Sequence, residues 1–377
     1  MSEQLFSIDE KHEDKIAKIK VIGVGGGGGN MINYMINQGF SAVDLIAANT
    51  DAQALNTSLA PMKIQLGAKL TRGLGAGMKP EKGQQAAEES YEEIVARLKG
   101  SDLVFIATGL GGGTGTGASS VVARAAKEAG AITVAVCTKP FTFEGPKRSK
   151  LAKQGYEELK TECDSMVVIP NDKLLAIIDK NMGYNESFQM VDDVLAKAVS
   201  GITSIVMSTS TQGINTDFAD LQTILSYKGL ALMGMGHGQG ANAAVEAVKK
   251  AIESPLLDEV SIHGAMGILV HFQIPPSFPL VAINESMSIL YESADEDADI
   301  IFGTSVDEKL DADTVKVTLI ATGFEKQSAN NVHEKSAETV EKNVKSMSKT
   351  LKVVGGYDMS ENEDYLDIPT FLRQQMD

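Results

Sequence analysis

The run Gly109-Leu110-Gly111-Gly112-Gly113-Thr114-Gly115-Thr116-Gly117 limits what this chain can fold into more than any other stretch. It follows Asp102-Leu103-Val104-Phe105-Ile106-Ala107, an apolar segment suited to a buried strand, and an apolar pattern resumes after it at Val121, Val122 and Ala125. Residues with little side chain let the backbone turn sharply and bring N–H groups against an anion. The helix that begins there adds a dipole favouring negative charge. A flexible linker is not framed this closely by a strand and a helix, so a phosphate ligand is the natural reading.

The same order of strand, glycine run and helix opens the patterned part of the chain: Ile19 to Val24, then Gly25 to Gly29, then a helix expected from Asn30. Further strands are expected near 44–49, 102–107, 132–138 and 166–170. Strands alternating with helices imply a mainly parallel sheet covered on both faces, which binds its ligands at the carboxyl ends of the strands. From Glu186 to Ser208 the apolar positions Phe188, Val191, Leu195, Ala198, Ile202, Ile205 and Val206 recur every three or four residues, the spacing of a long helix with one buried face. Beyond it, a helix (241–253) and strands (264–274, 299–304 and 314–322) predict a second, smaller α+β domain. The expected organisation is an arm over 1–17, a nucleotide domain over 18–184, a connecting helix over 185–210 and a second domain over 211–325. Residues 326–364, rich in Lys, Glu, Ser and Asn, cannot bury enough apolar surface to offset chain entropy and are expected to be disordered. The last segment, 365–377, restores apolar density at Ile368, Phe371 and Leu372 and reads as a docking peptide on a tether, or else as a piece that packs back on its own domain.

A net charge of −16 argues against a broad nucleic-acid surface. Two cysteines, Cys137 and Cys163, without metal-ligand spacing, suit a reducing cytoplasm and read as small buried hydrophobes. No apolar run approaches the ~18 residues needed to cross a bilayer, so a membrane role is expected to pass through a partner.

Gly23, Gly25 and Gly28 form a G-x-G-x-x-G match, a weak signal shared by dinucleotide-binding folds, and Asp44 and Asp51 lie in range for a ribose-binding acid. A nicotinamide enzyme is therefore the rival reading. Against it stand the second glycine loop and a third glycine-rich turn, Arg72-Gly73-Leu74-Gly75-Ala76-Gly77-Met78, since three anion-cradling turns suit a triphosphate better than a pyrophosphate. No G-x-x-x-x-G-K-[ST] is present, which excludes a P-loop nucleotidase.

The Gly-Gly-Gly-Thr-Gly-Thr-Gly run at 111–117 resembles the signature loop of the tubulin/FtsZ superfamily. With Val24 to Asn30, Asn49 to Leu55, Thr138 to Phe141, Phe143 to Gly145, Asn215 to Asp220 and the tail Asp367 to Arg373, the chain is similar to the bacterial cell-division GTPases of that family from about Lys18 to Phe324 and again at its end. The resemblance implies an α/β fold with a Rossmann-like GTP-binding domain, GTP/GDP and Mg²⁺ as ligands, and hydrolysis coupled to head-to-tail self-assembly. It further implies a cytoplasmic location at the division site beneath the inner membrane, with membrane-anchored adaptors held by the tail.

The phosphate cradle it implies comprises Gly26, Gly27, Gly28, Gly29, Asn30, Gly77, Gly112, Gly113, Thr114 and Gly115. Guanine would fall to Phe188 and Asp192, with Asn171 nearby. Four residues apart on one helix face, the ring can stack while the carboxylate accepts from N1–H and the exocyclic amine. Adenine would leave that carboxylate without donors, at ~2–3 kcal/mol. Read from the residues alone, Phe188 is core and Asp192 is solvated, and Asp193 competes for the role. Glu144 and Arg148 are implied ribose contacts, although their spacing also reads as a surface ion pair. Asp217 and Asp220 are the implied catalytic acids, entering the neighbouring subunit's site with Asn215 supporting the phosphate end. On sequence alone they read as first-turn acids of a helix. Metal ligands cannot be read. Met31, Tyr34, Ser119, Ser120 and Gln212 depart from the usual pattern.

Overall fold

The computed structural model describes residues 17–40, 43–175, 178, 181–207, 218–227, 230–257 and 262–324. All of these lie in one compact unit, Met1–Lys326. The strands are β1 (Ile19–Val24), β2 (Asp44–Asn49), β3 (Met62–Gln65), β4 (Leu103–Gly109), β5 (Ile132–Lys139), β6 (Ser165–Pro170), β7 (Leu230–Gln239), β8 (Gly267–Ile274), β9 (Asp299–Val306) and β10 (Thr314–Thr322). The helices are α1 (Gly25–Asn37), α2 (Ala52–Thr57), α3 (Ala68–Thr71), α4 (Pro80–Glu89), α5 (Tyr91–Leu98), α6 (Thr114–Glu128), α7 (Pro146–Glu162), α8 (Asn171–Leu174), α9 (Tyr184–Met207), α10 (Phe218–Ser226), α11 (Ala243–Ile252) and α12 (Leu280–Ser293).

The strands form one sheet in the order β3-β2-β1-β4-β5-β6-β7-β10-β8-β9. Pairing is parallel from β3 to β7, antiparallel from β7 to β10 and from β10 to β8, and parallel again between β8 and β9. The sequence reading treats the second half as separate; the structure joins it to the first at a seam where Met166 pairs with Leu230 and Val167 with Ala231.

Alternation along each strand divides the core. Leu103, Phe105 and Ala107 of β4 face a cluster shared with α1 and α9, while Val104 and Ile106 face the cluster under α4, α5 and α6. In the second half, Val315, Val317 and Leu319 of β10 face α11 and α12, and Ile320 and Leu269 turn to the α9 side. The long helix α9 thus lies on one face of the sheet and buries Val191, Val194, Leu195, Ala198, Val199 and Ile202 in the common cluster.

Two strands fall outside the sequence reading. β3 is four residues long and carries Lys63 and Gln65, too short for a visible alternation. β7 has glycine at every second position from 234 to 238, which carries no strand signal. A Cβ on Gly234, Gly236 or Gly238 would lie 2.0, 1.9 and 2.0 Å from the carbonyl oxygens of Ala251, Ala247 and Ala243. Helix α11 therefore rests directly on the strand backbone, and an alanine every fourth residue on the helix matches a glycine every second residue on the strand.

Candidate functional site

The glycine turns meet at the carboxyl ends of β1, β2 and β4. Helix α1 begins at Gly25, directly after β1, rather than at Asn30 as its sequence predicts. The glycines expected as a loop are its first turn, whose leading amides have no intrahelical acceptor. Gly25 has φ +74°, and a Cβ there would sit 2.8 Å from the Gly115 nitrogen, so glycine is required for the two runs to approach.

In the second loop the Gly111 N–H donates to Thr116 Oγ1 (2.8 Å) and the Leu110 N–H to the Thr138 carbonyl (3.0 Å), which fix the turn before α6. The third turn is tied to the end of β2. Asp51 bridges Leu74, the Gly75 N–H reaches the Thr50 carbonyl at 3.3 Å, and the fully buried Thr50 shares a 2.6 Å hydroxyl contact with Thr114.

The predicted cradle residues fall into two sets. A Cβ on Gly26, Gly29, Gly77 or Gly112 would meet no atom within 4 Å, so these four border open space. Gly28 packs on the Ala107 carbonyl and Gly23, Gly113 on Ala76 and Met78, and Gly115 on the Gly109 carbonyl; Gly27 lies close to Gly109. Asn30 is exposed on the next turn of α1. The sequence reading includes Thr50 only within the Asn49 to Leu55 motif and gives it no role; its contact with Thr114, 64 positions away, appears only in the fold.

Beside the cradle, Asn171 opens α8 and is buried, yet its Oδ1 has no hydrogen-bond partner among the described residues. Phe188 packs edge-on against buried Phe141, with centroids 5.7 Å apart, and Phe141 stacks on Phe143, which is 68% exposed. Asp192 is half-buried, and burial pushes its carboxyl up to about 7. Its neighbour Asp193 is engaged, accepting from the Tyr34 hydroxyl at 2.8 Å and pairing with Lys197 at 2.6 Å. Glu144 and Arg148 form the ion pair that their spacing suggests, at 2.6 Å, while the other Glu144 oxygen accepts from the Phe141 N–H at 2.9 Å. Asp172 accepts from the Thr142 N–H at 2.9 Å and so ties this turn to α8.

Asp220 is exposed in the first turn of α10. That helix sits where β7, β8 and β9 begin: Ile224 and Tyr227 crowd Gly267, and the Tyr227 hydroxyl bonds Asp299. Asp220 therefore lies by the starts of these strands, whereas the glycine turns lie at carboxyl ends. Asn215, Asp217, Gln212 and the tail 365–377 lie outside the described residues. Among the other departures, Met31 is fully buried, and Ser119 and Ser120 turn their hydroxyls back to the carbonyls of Gly115 and Gly117. A separate cavity of about 560 Å³ lies between α9 and strands β7, β8 and β10, and none of the predicted site residues lines it.

Comparison with known proteins gives two family matches: the Tubulin/FtsZ family, GTPase domain, over residues 18–179, and the FtsZ family, C-terminal domain, over residues 229–325. Among solved structures, the empty FtsZ dimer of M. jannaschii is 44% identical with a TM-score of 0.79, covering 83% of this chain and 90% of that one. A tryptophan-to-tyrosine mutant of M. jannaschii FtsZ is also 44% identical, with a TM-score of 0.78 over 83% of this chain and 93% of that one. The GTPγS-bound protofilament of CetZ2 from Haloferax volcanii, at 20% identity, shares the fold, with a TM-score of 0.69 over 86% of this chain and 99% of that one.

Proposed function

Because this chain belongs to the tubulin/FtsZ family and is a GTPase of that fold, we propose that it polymerises head-to-tail into the filaments of a cell-division ring and completes its active site between subunits. The observation that carries the reading is the cradle, where Gly26, Gly29, Gly77 and Gly112 border open space at the strand ends with nothing where side chains would stand. A triphosphate there would take first-turn amides of α1 and the loop before α6 as donors. Asn171, whose buried Oδ1 has no hydrogen-bond partner among the described residues, and Asp192 would read the guanine edge, with Phe188 against its face. Glu144 and Arg148 would adjoin the ribose.

Asp217 and Asp220 of the next subunit, with Asn215 at the phosphate end, would orient and deprotonate the attacking water. Its oxygen bonds to the γ-phosphorus as the bridging oxygen leaves with GDP. Mg²⁺ would neutralise the phosphate charge. Among the described residues no group of three or more His, Cys, Asp or Glu could hold a metal ion, and a cation bound through phosphate oxygens and water needs none. Support for the shared site comes from the placement of Asp220 by the starts of β7 to β9, away from the glycine turns, and from the self-associated forms of the relatives. Open-ended head-to-tail contact generates filaments.

No helix among the described residues is long and apolar enough to cross a membrane. The reading places the protein in the cytoplasm at the division site, tethered through adaptors that bind residues 365–377. Sedimentation and phosphate release with GTP and Mg²⁺, measured over a dilution series of the full chain, test the core of it. Turnover per subunit should vanish on dilution, and turnover independent of protein concentration would refute the shared site.

A further inference from the structure

Asp192 and Asp193 are adjacent on α9, and the side chain of the first makes no hydrogen bond or ion pair among the described residues while that of the second makes one of each. One Asp193 oxygen accepts from the hydroxyl of Tyr34, in the third turn of the same α1 whose first turn forms the cradle. The other is held by Lys197, one turn along α9. We propose that Tyr34 is a positioning residue for base recognition: by tying Asp193 down, it leaves Asp192 as the single carboxylate free to address the purine. The proposal rests on the reading that Asp192 accepts from guanine.

The chemistry of a phenol suits this task. It has one proton to give and no positive charge, so it engages Asp193 without forming an ion pair with Asp192, as a lysine or arginine there would. Burial and the neighbouring Asp193 raise the Tyr34 phenol well above its ordinary range, so it remains a donor across the working pH. Without that bond, Asp193 keeps only Lys197, and its carboxylate can swing toward its neighbour. Two acids then repel each other and compete for the same donors, which weakens the contact to the exocyclic amine that distinguishes guanine from hypoxanthine.

The test is the affinity of the full chain for GDP and for IDP, which lacks that amine, in wild type, Tyr34→Phe and Tyr34→Phe/Asp193→Asn. Tyr34→Phe keeps the ring and its packing and should cut the preference for GDP over IDP about tenfold. Neutralising the rival acid should restore that preference in the double variant. An equal loss for both nucleotides would mark Tyr34 as a packing residue only and overturn the inference, as would a reduced preference that Asp193→Asn fails to restore. A wild-type chain binding neither nucleotide would instead refute the proposed function.

Discussion

Asp192→Asn should make the empty protein more stable and the nucleotide-binding protein worse. Burial lifts the Asp192 carboxyl from 3.8 to about 7, so in the folded empty site the charged form is disfavoured. The full difference corresponds to ~4 kcal/mol. Because the side chain is only half-buried, solvent screening leaves on the order of 1–2 kcal/mol. The folded state holds this proton more tightly than the unfolded chain, so the cost is absent below the unfolded value, grows as pH rises from about 4 to about 7, and stays constant above. Asparagine has no charge to suppress. Urea melts of nucleotide-free protein should therefore show a gain on the order of 1–2 kcal/mol at about pH 8 and little at about pH 4.5. GDP titrations should show the opposite, a loss of at least ~tenfold as the charged acceptor disappears. A gain that is equal at both pH values, or a stabilised variant with unchanged GDP affinity, would refute the link between burial at Asp192 and recognition.

The two classes of cradle glycine should separate cleanly. Gly26→Ala, which faces open space, should leave the melting temperature unchanged or slightly raised and weaken GTP binding about tenfold in a filter or calorimetric assay. Gly28→Ala would place a Cβ 2.3 Å from the Ala107 carbonyl oxygen and should lower stability by on the order of 2–3 kcal/mol in urea melts. Asp220→Asn should bind GTP as wild type does while phosphate release in the assembled state falls roughly 10²-fold or more; loss of GTP binding by the isolated subunit would contradict the placement. Removing residues 365–377 should spare sedimentation with GTP and abolish cosedimentation with adaptor-bearing vesicles.

Strands β1, β2, β4, β5 and β6 are legible because they are continuous apolar runs separated by helices, so pattern and structure coincide there to within about two residues. The start of α1 is misjudged because five glycines carry no helical signal, although tertiary contact of Gly25 with Gly115 and of Gly28 with Ala107 holds them in a helical turn. β7 escapes for the opposite reason: its glycines are there to admit α11, a constraint that lies in another element. At its end, Gly238 meets the Ala243 carbonyl and the Gly240 N–H donates to the Asp313 carbonyl. At the site, the motif residues are visible in one dimension. The tyrosine that engages Asp193 is not, since it stands 159 positions away.

At Gly234, Gly236 and Gly238 the strand puts no side chain between itself and α11, so no change of rotamer on β7 can absorb a displacement there. Strand and helix must travel as a single plate. If the two halves of the molecule shift between free and assembled states, the strain gathers instead at the narrow join where Met166 and Val167 meet Leu230 and Ala231, and a change at those four residues would alter how stiffly the halves are yoked.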